Sequence, residues 1–162
     1  MNAPGQNAGS KILPLANLAA TEALAGRLAA LARAGDIIGL SGELGAGKTA
    51  FARAFICARL GATEVPSPTF TLVQVYEGDG APIWHVDLYR LIHSEEIFEL
   101  GIEDAFDSAI CLIEWPEKMA GHGPDDWLEL RLAPGDTEHS RRAAFTPRGA
   151  RAEQIMQLLA VG

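Results

Sequence analysis

Two cysteines, Cys57 and Cys111, are all that the 162-residue chain contains, too few for a disulfide framework. Both stand in apolar stretches, residues 55–58 and 110–113, and are expected as inert core thiols. No apolar run approaches the ~20 residues of a membrane-spanning helix, and no basic residue precedes an apolar stretch within residues 1–10. Neither a membrane span nor a secretory signal is therefore expected, which points to the cytoplasm. Positive charge is scarce: 13 Lys and Arg stand against 21 Asp and Glu, a net −8. General attraction to phosphate backbones or anionic lipid is disfavoured, so any nucleic-acid role should be indirect or depend on partners. Asparagine is absent after Asn17, which removes the Asn-Lys-x-Asp signature by which GTPases read guanine. With no internal repeat and no low-complexity linker, residues 11–162 are expected to form a single domain behind a flexible tail, residues 1–10.

What the chain does contain is periodic. Leu24, Leu28 and Leu31 fall at helical spacing between Ala19 and Arg33, and Ile37 to Ser41 reads as a short strand covered on both faces. A glycine-rich loop follows. Thr49 to Leu60 then carries Phe51, Phe55, Ile56 and Leu60 on one helical face and stops at Gly61. From Phe70 the pattern becomes strand-like, with a turn at residues 77–80 and a second run from Pro82 to Tyr89, a hairpin. Residues 95–100 read as a short helix and Ala109 to Ile113 as a buried strand. Trp127 to Leu132 and Arg142 to Thr146 read as an antiparallel pair, and Ala150 to Leu159 as a closing helix. The fold class is α/β: a single domain whose mixed parallel and antiparallel sheet is flanked by helices.

Gly42-Glu43-Leu44-Gly45-Ala46-Gly47-Lys48-Thr49 fits GxxxxGK[ST] at every defined position, between an expected strand and an expected helix. The spacing has a chemical reason. The chain must wrap a phosphate with its N–H groups inward, and glycines permit the angles and the close approach. The following helix adds unpaired N–H groups and the positive end of its dipole. Lys48 would reach the β- and γ-phosphates, and the Thr49 hydroxyl would ligate Mg²⁺.

A P-loop needs an acid across the site. Ile110 to Ile113 is a hydrophobic strand ending in Glu114, and a parallel strand beside the loop would deliver that carboxylate to the metal. Asp87 is the other acid emerging from a strand, and spacing alone leaves open which of the two is nearer the attacking water. Pro66 and Pro68 hold the segment around Thr69 and Thr71 extended, either as a sensor of the γ-phosphate or as a stiff strand entry. His85, His93, His122 and His139 lack metal-ligand spacing. Trp115 is placed to report on nucleotide or simply to pack, and the Arg141–Arg142 pair to reach phosphates or to remain surface. A small-molecule kinase remains the enzyme-class alternative, although neither the acceptor pocket it would need nor the arginine-bearing lid usual for one is evident in the sequence. A minimal ATPase and a non-hydrolysing regulatory subunit fit as well.

Five motifs in order and spacing then narrow the choice: residues 42–49 (GELGAGKT), 67–73 (SPTFTLV), 85–91 (HVDLYRL), 99–104 (ELGIED) and 112–118 (LIEWPEK). Together they resemble the TsaE (YjeE) family of bacterial ATPases, from about Leu15 to Lys118. The resemblance implies a role in making threonylcarbamoyladenosine (t6A), a modified base beside the anticodon of certain tRNAs. It also implies TsaB–TsaD as the protein partners, with ATP hydrolysis supporting their turnover and tRNA held mainly by them. By position, Gly42 and Leu44 to Thr49, with Gly45, Ala46, Gly47 and Lys48 between, would bind the ATP phosphates. Thr49 and Glu114 would hold Mg²⁺, and Asp87 would position water or metal-bound water. The Thr69 segment would be a switch, Trp115 would sit near the nucleotide, and Arg141 is assigned a nucleotide contact on a looser match. Leu15 to Leu18 would flank the adenine or pack. No arginine occupies a recognisable finger position, so hydrolysis by the chain alone is expected to be slow.

Overall fold

The computed structural model describes residues 10–61 and 72–161. The Thr69 segment and all of the expected tail except Ser10 lie outside the described residues. In chain order the elements are β1 (Lys11–Leu15), α1 (Leu18–Leu31), β2 (Ile37–Ser41), α2 (Lys48–Leu60), β3 (Val73–Tyr76) and β4 (Ile83–Asp87). A 3₁₀ segment (Ser94–Leu100), α3 (Ile102–Ser108), β5 (Ile110–Glu114), a second 3₁₀ segment (Pro116–Met119), β6 (Trp127–Pro134), β7 (Arg141–Arg148) and α4 (Ala150–Val161) complete it. The strands form one sheet in the order β1-β7-β6-β2-β5-β4-β3.

β2 lies at the centre, parallel to both β5 and β6, and β5 is parallel to β4. The outer pairs are antiparallel: β3 with β4, β7 with β6, and β1 with β7. All five residues of β2 are buried, as expected of a parallel strand covered on both faces. One core layer packs Leu24, Leu28, Phe51, Phe55, Ile56 and Ile155 from the long helices against Ile38, Leu40, Leu112, Leu130 and Phe145 of the sheet. On the other face, Ile97, Ile102 and Ala105 cover Ile37, Val86, Cys111 and Ile113. The sheet at Gly39 tolerates no side chain, since a Cβ there would stand 2.4 Å from the Trp127 ring.

Local chemistry sets the helix ends. Asn17 caps α1, its side-chain oxygen accepting from the Ala20 N–H at 3.0 Å. The helix therefore starts at Leu18, and Thr21 lies within it, buried. Arg59 donates to the Ala29 and Ala32 carbonyls, both at 2.9 Å, tying the end of α2 to the end of α1. α4 is held by Arg151, which donates to both oxygens of the buried Asp36 at 2.8 Å. Ile155, Met156 and Leu159 of α4 point into the core, as their spacing predicts.

Three features depart from the sequence reading. β1 and α3 are regular elements that the periodicity did not announce, because β1 is a five-residue edge strand containing Pro14 and α3 spans only two turns. Cys57 is not a core thiol; it is half-buried on the flank of α2, whereas Cys111 is fully buried. Leu60 likewise reaches the core only in part. Among the described residues no helix is long and apolar enough to cross a membrane.

Candidate functional site

β2 delivers the chain to the loop at Ser41, and the first helical turn of α2 begins at Lys48. Three glycines carry the turn with positive φ: Gly42 at +135°, Gly45 at +82° and Gly47 at +107°. At Gly42 the reason is also steric, because a Cβ there would stand 2.3 Å from the Leu132 carbonyl oxygen of β6. Gly47 occupies the N-cap position of α2 and supplies no side-chain cap, so the first turn's N–H groups face the loop. These are the donors a phosphate needs.

Lys48 folds back over the loop, donating to the Gly42 and Glu43 carbonyls, each at 2.8 Å, with its ammonium 4.2 Å from the Trp115 ring centroid. Burial lowers its proton affinity, and the charges of Glu114, Asp87 and Glu117 act against that. The Thr49 hydroxyl donates to Glu114 Oε1 at 2.9 Å, although the two residues are 65 positions apart. Glu114 is nearly inaccessible and its other oxygen, Oε2, lies 2.7 Å from His85 Nε2. Since a carboxylate only accepts, the shared proton is assigned to Nε2. His85 Nδ1 has no hydrogen-bond partner among the described residues.

The strands explain this meeting. β4 and β5 run parallel with Asp87 opposite Glu114 and His85 opposite Leu112. Alternation then puts His85, Asp87 and Glu114 on the face that α2 covers. Asp87 accepts from the Tyr89 N–H at 3.0 Å. Its carboxyl is held above the ordinary carboxylate range: burial raises it most, the Tyr89 N–H lowers it, Glu114 raises it, and His85 and Lys48 lower it.

Trp115 follows Glu114 in a left-handed conformation, φ 60° and ψ 53°, which costs a bulky residue about 1–3 kcal/mol. Its ring stacks at a tilt on Tyr89, 5.1 Å between centroids. Both rings, with Leu44, Lys48, Thr49, Asp87 and Glu114, line a cavity of about 260 Å³ at the mouth of the loop. A larger cavity of about 640 Å³ near Trp127 and Arg148 contains none of the residues expected to act. Donor chemistry, not volume, selects the smaller one.

That cavity suits a polyphosphate with a divalent cation. Two carboxylates and one ammonium leave it short of positive charge, so a polyanion bound there would need a cation to accompany it. Thr49 and Glu114 offer two oxygens side by side, the kind of sparse donor set Mg²⁺ takes when phosphates and water complete its shell. Among the described residues no cluster of three or more His, Cys, Asp or Glu forms a metal cage.

Of the expected site residues, Leu44, Gly45, Gly47, Lys48, Thr49, Asp87, Glu114 and Trp115 line this cavity; Gly42 joins them through its carbonyl on Lys48, whereas the Ala46 side chain is buried in the core. Arg141 lies at the same end of the sheet, opposite Pro134 of β6 and Leu15 of β1, but outside this cavity. Its guanidinium donates to the Glu138 and Ser140 carbonyls of its own turn. Leu15 packs in the core, whereas Leu18 is exposed. His85 and Tyr89 were not singled out from the sequence; the signal available was the alternation of residues 83, 85 and 87 toward a single face.

A family model described as Threonylcarbamoyl adenosine biosynthesis protein TsaE matches residues 15–143. The tRNA threonylcarbamoyladenosine biosynthesis protein TsaE of Bacillus subtilis is 37% identical over 142 residues, covering 86% of this chain and 87% of that protein. Its counterpart in Streptomyces coelicolor is 41% identical over 132 residues, covering 77% and 88%. A crystal structure of Bacillus subtilis YdiB matches with a TM-score of 0.75 at 32% identity, covering 94% of this chain and 95% of that one.

Proposed function

The chain belongs to the TsaE family of threonylcarbamoyl adenosine biosynthesis proteins, and we propose that in tRNA t6A formation it binds and hydrolyses ATP with Mg²⁺. The observation that carries this reading is the Thr49–Glu114 contact at the start of the P-loop helix, with Lys48 folded over the loop beside it. The loop N–H groups and the uncapped first turn of α2 hold the β- and γ-phosphates. Lys48 exchanges its bonds to the Gly42 and Glu43 carbonyls for phosphate oxygens. Thr49 and Glu114 would hold Mg²⁺, which when bound would supply positive charge beside the phosphates.

Asp87 orients the attacking water. A carboxyl held above the ordinary range by burial is a better base than an ordinary carboxylate for accepting a proton from that water. Trp115 and Tyr89 form the wall beside the phosphates. Among the described residues lining the cavity the cation is Lys48, and an added arginine can be worth ~10³ to 10⁵ in rate. The chain is accordingly slow alone and stimulated by its protein partners, the TsaB–TsaD complex. Its net charge of −8 suits a cytoplasmic protein that meets tRNA only through those partners.

Phosphate release from ATP tests this, measured for the full chain alone and with TsaB–TsaD, with Mg²⁺ or EDTA, and with Lys48→Ala as the blank. Mg²⁺-dependent release that rises with the partners and is lost in the blank is expected. ATP bound but never hydrolysed, even with the partners, would make the chain a regulatory subunit. Equal rates with and without them would remove the partner from the mechanism.

A further inference from the structure

His85 is a costly residue at its position. It is fully buried on the α2 side of β4, and its Nδ1 is left with no hydrogen-bond partner among the described residues. A leucine would fill similar space without burying an unpaired polar atom, so packing alone does not account for an imidazole there. What the imidazole adds is one directed contact, Nε2 to Glu114 Oε2 at 2.7 Å. Glu114 is thereby held at both oxygens, with Oε1 accepting from Thr49 Oγ1 at 2.9 Å. The terminal torsion of a glutamate is broad and weakly two-fold, so a carboxylate tied at only one oxygen can turn its plane. Tied at both, it cannot.

We infer that His85 is a positioning residue: it fixes the plane of the Glu114 carboxylate so that Oε1 stays beside the Thr49 hydroxyl, pre-forming the oxygen pair that receives the divalent cation. This rests on the reading of the site as an Mg²⁺–ATP site. Parallel register makes the arrangement possible, because His85 sits two residues before Asp87, the strand neighbour of Glu114. His85 thus holds Glu114 at Oε2 while Oε1 stays with the Thr49 hydroxyl at the cavity. Groups that orient a metal-binding carboxylate change metal affinity by ~10 to 100-fold when removed.

The test is a calorimetric titration of the full chain with ATP at increasing Mg²⁺, repeated with EDTA, for wild type, His85→Leu and His85→Gln, alongside apo thermal melts. Glutamine carries its amide nitrogen near the place of Nε2; leucine carries no donor. His85→Leu is expected to raise the Mg²⁺ concentration for half-maximal tight binding by ~10 to 100-fold, with ATP affinity in EDTA unchanged. His85→Gln should recover most of that loss. If His85→Leu does not fold, His85→Asn, whose amide is too short to reach Glu114, takes its place with the same expected split. The proposal is overturned if the donorless variant keeps wild-type Mg²⁺ dependence. It is equally overturned if Gln and the donorless variant shift alike, or if affinity falls equally with Mg²⁺ and with EDTA, which marks a merely structural role. Absence of Mg²⁺-dependent ATP binding in the wild type would instead remove the reading of the site as an Mg²⁺–ATP site.

Discussion

Replacing Gly42 by alanine sets a steric cost against a conformational one inside a single loop. At φ +135° any Cβ is strained, and this one would stand 2.3 Å from the Leu132 carbonyl oxygen and 3.2 Å from the Ala46 Cβ. The oxygen belongs to the backbone of β6, which is paired on both sides, so no flexible side chain can swing away. The backbone strain costs about 1–3 kcal/mol and the forced separation of β2 from β6 about 1–3 kcal/mol more. In a chain of this length the two together lower Tm by on the order of 10 °C. Gly45→Ala is the matched control: its φ is +82°, but nothing lies within 4 Å of the added carbon. It should cost only the conformational part, about 1–2 kcal/mol. Thermal and urea unfolding of the two apo variants decides. The reasoning is refuted if Gly42→Ala is no less stable than Gly45→Ala. Because the Gly42 carbonyl also receives Lys48, Gly42→Ala should in addition lose ATP binding.

Two other expectations concern ionisation. Burial raises the Asp87 carboxyl in the folded chain above its unfolded value, so the ionised form opposes folding at neutral pH, and that penalty lifts as pH falls through the folded value. Asp87→Asn should therefore raise the apo Tm at neutral pH, with the gain shrinking on acidification, while abolishing phosphate release; a gain that grows toward acid would contradict this sign. Burial also pushes the Cys111 thiol up to about 12, whereas Cys57 is half-buried. A thiol reagent should modify Cys57 in the native chain and Cys111 only after denaturation, and simultaneous reaction of both would refute the assignment.

The loop, the helix behind it and the acid-tipped strand were legible in the sequence because each is contiguous. Gly42 to Thr49 must supply positive φ and inward N–H groups within eight residues, and the apolar run 110–113 announces a strand whose end is Glu114. The five spaced motifs carried the family as well. Edge strand β1 was not legible, since a short strand with a proline is defined by its pairing with β7 rather than by its own pattern. Of the two readings of Trp115, nucleotide wall or packing, the fold shows the packing: its ring lies against Tyr89 and beneath the Lys48 ammonium. Spacing could not say which acid meets Thr49, because that contact crosses 65 positions and the His85 contact with the same carboxylate crosses 29. The sequence by itself determined the glycine-rich loop, written in local backbone requirements, and the family, carried by five motifs in order and spacing. Only the tertiary structure decided that Glu114 faces Thr49, that Asp87 stands beside it and that His85 holds it from below, because strand order and register put their side chains on one face.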